Sequence, residues 1–128
     1  MSLTPRIHAI SWFEMAVVDF DRALRFYSTI LGTSLTEVSV GDARVAMFPS
    51  DPATGIGGSF TVLPGVQPGF AGTLIYLNVD GELAAVLERI PAAGGKVIRP
   101  PVSLGEQGAT AVIADTEGNI VGLHSTTT

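Results

Sequence analysis

The chain is a weak repeat of itself, and this constrains its fold more than any other feature. A shift of 62 residues superimposes Val17 on Val79, Ala23 on Ala85, Gly32 on Gly94 and Leu35 on Val97. The matches are sparse, but the order of elements recurs in each half: strand, helix, glycine stop, strand-rich remainder. In the first half, Ile10–Val18 is apolar and mostly uncharged, as a strand covered on both faces would be. Asp19 can cap a helix with Phe20, Ala23, Leu24, Tyr27 and Leu31 on its apolar face and Arg22 and Arg25 opposite. Gly32 suits the left-handed stop. Strands are expected at Leu35–Val40, Arg44–Phe48 and Gly58–Leu63, divided by Gly41-Asp42 and the Pro49–Gly57 loop.

The second half repeats the scheme. Leu74–Val79 reads as a strand, and Asp80 or Gly81 opens a helix carrying Leu83, Val86, Leu87 and Ile90 inward. Pro91 is expected to end or kink that helix early, having no N–H for the preceding turn. Strands at Lys96–Arg99, Ala109–Ala114 and Ile120–Ser125 follow, with Thr116–Asn119 as a hairpin turn. A length of 128 residues suits one domain. Module one is expected over about 7–63, a Pro/Gly linker over 64–72 and module two over 73–126.

Composition removes several classes of function. A net charge of −5 without a Lys/Arg cluster argues against nucleic acid, which requires phosphate neutralisation. With no cysteine there are no disulfides, thiolate nucleophiles or Cys-zinc sites. No apolar run is long enough for a membrane span, and no basic-then-apolar leader opens the sequence, so a cytoplasmic location without membrane contact is the expectation.

Two βαβββ units joined by a short Pro/Gly segment resemble the vicinal oxygen chelate superfamily, which includes glyoxalase I, extradiol dioxygenases, fosfomycin-modifying enzymes and bleomycin-binding proteins. The resemblance is carried by Ala16–Tyr27 (AVVDFDRALRFY) with Ile30-Leu31-Gly32 behind it, and more weakly by Ala92–Gly95 and Asp115–Asn119 (DTEGN). It implies an α+β fold in which the sheets of the paired modules curl around a cavity, usually in a homodimer.

It also implies where a metal would sit. Ligands in the family come from the first and last strand of each module, positions that map here to Trp12, Phe60, Leu74 and Gly122. None carries a side-chain donor suited to a divalent cation. A slip in register cannot repair the set, because Pro52–Val79 holds no Asp, Glu, His, Lys or Arg and contains both inner ligand strands. His8, Glu14 and His124 do not make a substitute triad: His8 and Glu14 lie roughly 20 Å apart along an extended strand. The expectation is a member without a metal or other cofactor.

Strand alternation places Glu14 beside Trp12, His124 beside Gly122, and Tyr76 beside Leu74. The expected ligand cavity is therefore Trp12, Glu14, Phe60, Leu74, Tyr76, Gly122 and His124, largely apolar with three polar groups. Glu14 is the sharpest of these. Enclosed, it would be desolvated and could serve as a general base or as counter-ion to a cation; otherwise it pairs with an arginine or ends a strand in water. Tyr76 and His124 would assist it; the other reading of His124 is a polar residue of a terminal strand. Trp12, Phe60 and Tyr76 would stack on a planar ligand or simply pack the core. The resulting function is binding, with or without lyase- or isomerase-type proton transfer, of a small apolar or aromatic molecule. The alternatives are a metal-dependent lyase or dioxygenase with unusual ligands, and a non-catalytic drug-sequestering protein.

Overall fold

The computed structural model describes residues 5–127. Its elements run β1 (Trp12–Ala16), α1 (Phe20–Leu31), β2 (Thr36–Val40), β3 (Ala43–Met47), β4 (Gly57–Thr61), β5 (Tyr76–Asn78), α2 (Leu83–Ala93), β6 (Lys96–Ser103), a 3-10 turn (Gly105–Gln107), β7 (Ala109–Ala114) and β8 (Ile120–Ser125). The fold is α+β. Two four-stranded mixed sheets have the orders β1-β4-β3-β2 and β5-β8-β7-β6, and they are not joined into one closed sheet. In each, the first strand in the chain is parallel to its neighbour and the remaining pairs are antiparallel.

Local chemistry explains both helices. Asp19 caps α1 by accepting the Arg22 amide, and Gly32 closes it in the left-handed conformation at φ 66°. Gly94 ends α2 in the same way. The second helix departs from expectation at two points. Glu82, not Asp80 or Gly81, stands at its N-cap, because Asp80 is held by Thr126 and Ser125 from the other end of the module. Pro91 lies inside α2 rather than ending it: so near the C-terminus, its missing N–H removes one bond from a turn that Gly94 and Gly95 close anyway.

Strand β6 extends through Pro100-Pro101 to Ser103, beyond the expected Arg99. It is an edge strand, where a missing donor faces outward, and its pairing with β7 slips at Val97/Arg99 and Arg99/Val102. The core lies where both helices meet the sheets and each other. It is rich in aromatics, with Tyr27, Phe48 and Phe60 mutually packed at centroid distances of 5.2–5.8 Å.

The hairpin turn Thr116–Asn119 fastens the modules together. Buried Glu117 accepts hydrogen bonds from the Val18 and Asp19 amides, the Arg22 guanidinium and the Thr116 hydroxyl. Asp115 accepts from the buried Tyr27 hydroxyl at 2.7 Å, and the Asn119 amide donates to the Ala16 carbonyl. Sequence reading found the turn but not its grip on the first module.

Candidate functional site

Backbone pairing settles which residues share the sheet face away from the helices. In module one, Trp12 pairs with Gly57, Glu14 with Ser59 and Ala16 with Thr61. In module two, Tyr76 pairs with Gly122 and Asn78 with His124. The Val17 amide donates to Thr61, and its counterpart Val79 donates to His124. The halves are thus offset by 62 residues at the first strand and by 63 at the last. The counterpart of Gly122 is therefore Ser59, not Phe60.

That one residue inverts a strand face. Phe60 points toward the helices, is fully buried, and packs against the rings of Phe20, Tyr27 and Phe48. It belongs to the core. Its neighbour Ser59 faces the other way and accepts a hydrogen bond from the Trp12 indole at 3.2 Å. Thr61, also on this face, donates to the Arg44 carbonyl.

Trp12 is 44% exposed, and its ring lies over Gly57, where an added Cβ would come within 2.7 Å of it. Phe13 covers Gly58 on the opposite face in the same manner. Module two repeats the device with Tyr76, 46% exposed, across Gly122. A bare glycine strand under an aromatic ring gives each sheet a flat apolar platform. Beside the Trp12 platform is a hollow of about 410 Å³, lined by Thr36, Met47, Pro49, Asp51 and Gly57 among others. Asp51 is turned into its own loop, where the Ala53 and Thr54 amides, as the leading cause, hold its carboxyl below the ordinary value.

The polar candidates are distributed between the sheets. Glu14 is exposed on β1, so the single chain does not supply the desolvating enclosure expected for it. His124 is half-buried on β8, with Nε2 donating to the Gln107 carbonyl at 2.8 Å. That bond leaves Nδ1 for a second partner. Leu74 precedes β5 and is half-buried. The structure joins Trp12 with Ser59 and Tyr76 with Gly122, but it places Glu14 and His124 on different sheets.

The metal positions corrected for register are Trp12, Ser59, Leu74 and Gly122. Three have no donor suited to a cation, and the Ser59 hydroxyl is engaged by the indole. Among the described residues, no three His, Cys, Asp or Glu gather as a metal-binding group. The residues present do not fit the family's ion.

A second hollow, of about 540 Å³, opens between the modules. Its walls include Phe13, Leu31, Phe48, Ile56, Leu77 and Val86, none of which marks a site in the sequence. Residues from two halves meet there only once the modules are docked.

The Glyoxalase/Bleomycin resistance protein/Dioxygenase superfamily pattern matches residues 9–123. CFP32 of Mycobacterium tuberculosis (strain CDC 1551 / Oshkosh), a protein provisionally named a glyoxylase, is 25% identical over 126 residues. That alignment takes in 88% of this chain but 44% of CFP32, so the chain spans less than half the length of this curated relative. A glyoxalase/bleomycin resistance protein from Albidiferax ferrireducens T118 has a similar fold, with TM-score 0.69, 19% identity, and coverage of 92% of this chain and 98% of that one. A fosfomycin resistance protein, FosX, from Listeria monocytogenes matches with TM-score 0.65, 18% identity, and 94% of both chains covered.

Proposed function

This chain belongs to the glyoxalase/bleomycin resistance protein/dioxygenase superfamily, and from that premise we propose that it binds a small, largely apolar or aromatic molecule on the Trp12 platform without a metal ion. The observation that carries the reading is the half-exposed indole, fixed in plane by Ser59 and bordered by the 410 Å³ hollow. A rigid ring on a glycine strand binds flat ligands with little loss of side-chain freedom.

Glu14 is the acid–base group of this face, next to Ser59 in register. Its carboxylate can take a proton from a carbon or oxygen acid held against Trp12, with Tyr76 or His124 returning it. Those two residues stand on the other sheet, and a second copy of the chain would bring such a face over the first. Support for a homodimer comes from apolar side chains exposed on the strands, among them Trp12, Val40, Tyr76 and Val102.

Trp12 is the sole tryptophan, so its fluorescence reports events at this face. Titration with indole-free neutral aromatics such as 1-naphthol is expected to quench it saturably, and a cationic glycopeptide is expected not to. Trp12→Ala should weaken the best ligand roughly tenfold by calorimetry, about the worth of one good ring contact. Chelator treatment should leave affinity unchanged; a loss reversed by a stoichiometric metal would refute the metal-free reading. If a substrate is found, Glu14→Gln should lower kcat by about 100-fold or more. Turnover that survives this change would remove Glu14 from the chemistry.

A further inference from the structure

The 540 Å³ hollow between the modules exists because the two halves of the repeat are not equivalent there. In module two, the turn before β8 opens on Asp115, whose carboxylate accepts the amide of Glu117 two residues on. In module one, the turn before β4 opens on Asp51, whose carboxylate accepts the amide of Ala53 in the same way. No carboxylate follows Asp51 in that turn, over Pro52–Gly57. Glu117 reaches across to the amides of Val18 and Asp19 at the β1–α1 junction. The first module's turn therefore has no such group to offer the matching β5–α2 junction.

The junction amides have found local partners instead: Asp80 N–H donates to Asn78 Oδ1 and Gly81 N–H to Ser125 Oγ. Both backbone donors are satisfied without any group filling the gap. One side of the molecule is thus plugged by a carboxylate, and the mirror position remains a hollow.

We propose that this hollow is a ligand site, distinct from the one beside Trp12 although both touch Phe48, Pro49 and Gly57, for a small molecule with an apolar body and an amine head. The apolar body fits walls made by Phe13, Phe48, Ile56, Leu77 and Val86, in a volume within the range of small-molecule sites. Glu82 is the only charged side chain among the lining residues. It is exposed and makes no capping bond to its own helix, so its carboxylate is available at the mouth. The other charges nearby are accounted for. Arg89 lies against Gly32 and donates to the Ile30 carbonyl, and Asp80 is bound by Thr126; each keeps its charge, and the two are of opposite sign. The positive end of α2 offsets about half a charge, leaving the carboxylate dominant. An amine head satisfies it, an alcohol does so less strongly, and a carboxylate is repelled.

The test is calorimetry on the intact chain with three isosteric probes: 2-(1-naphthyl)ethylamine, 2-(1-naphthyl)ethanol and 1-naphthylacetate. Affinity is expected to fall in that order, by roughly tenfold from the amine to the alcohol. Glu82→Gln should reduce the amine to the level of the alcohol, and Ile56→Phe, which narrows the walls, should weaken amine and alcohol alike. Glu106→Gln, an exposed change on the 3-10 turn that lines neither hollow, should leave amine binding unchanged. Equal affinity for all three probes, or amine binding indifferent to Glu82→Gln, would overturn the proposal. So would binding lost as the chain self-associates in sedimentation, which makes a second copy the occupant. Trp12 fluorescence with 1-naphthol, measured in the Glu82→Gln protein, tests the platform independently.

Discussion

Replacing Glu117 with alanine is expected to destabilise the protein by about 3 kcal/mol or more, lowering the melting temperature by roughly 10 °C. The side chain has no solvent exposure, and its two oxygens accept from two backbone amides, a guanidinium and a hydroxyl. Removing it leaves the Val18 and Asp19 amides at the junction without their acceptor, and each such loss is worth about 1–3 kcal/mol when buried. Arg22, by contrast, is 44% exposed and can return to water. Arg22→Ala should therefore cost well under half as much, about 1 kcal/mol. If both substitutions cost the same in denaturant melts, the ion pair and not the amide capture would be the source of stability.

The same residue sets an acid limit. Burial works to raise the Glu117 carboxyl, but Arg22 and the two amides overcome it and hold the group below its ordinary 4.5. A folded-state value lowered in this way contributes stability that is complete above about pH 4.5 and is lost as pH falls through the folded value. The wild-type protein should lose stability on acidification through that window, and Glu117→Gln should lose less of it. Tyr27 acts at the other extreme. Burial first, then the Asp115 charge, raises its hydroxyl well above 10, so the contribution of the neutral phenol is full below pH 10 and lost above it.

Phe60→Ala should be the other severe change, about 3–5 kcal/mol, as expected for emptying a well-packed aromatic site. The ring has no exposed surface and touches three other rings, so neighbours already in contact cannot collapse into the space. Ser59→Ala, one position away, should cost about 1 kcal/mol or less, since it loses one hydrogen bond to a half-exposed indole. Were Phe60 a ligand-facing residue, the first substitution would weaken binding and spare stability. Urea melts of the two variants separate the cases.

Helix α1 was legible almost to the residue, because Asp19, the apolar spacing and Gly32 are local signals that survive any tertiary context. Strands β7 and β8 were read with correct bounds for a similar reason: turn residues punctuate them. Phe60 was not legible. The offset of 62 is true at Val17 and Val79 but becomes 63 by Thr61 and His124, and repeat matching cannot see an insertion between weakly similar strands. Since side chains alternate, an error of one residue exchanges core for surface. The role of Glu117 was hidden differently. An acidic residue beside Gly118 looks like any solvent-facing turn, and only docking of the second module shows the amides it meets. The inter-module hollow was illegible for the same reason, as the want of a carboxylate in Pro52–Gly57 signals nothing until it is set against Glu117.

The bond from the Asp19 amide to Glu117 joins residues 98 positions apart, which has a consequence for the order of events during synthesis. The first module can assemble its strands and α1 while the rest of the chain is still being made. Until Glu117 emerges, however, the start of α1 keeps water as its partner, even though α2, at Leu83–Ala93, has already been made. The halves of this repeat are therefore unequal in time: the earlier one waits for the later to complete it. Contacts this distant in sequence slow folding through the entropy of closing the intervening loop. A nascent chain stalled before residue 117 should be more readily cut by protease near residue 18 than one stalled past the terminus.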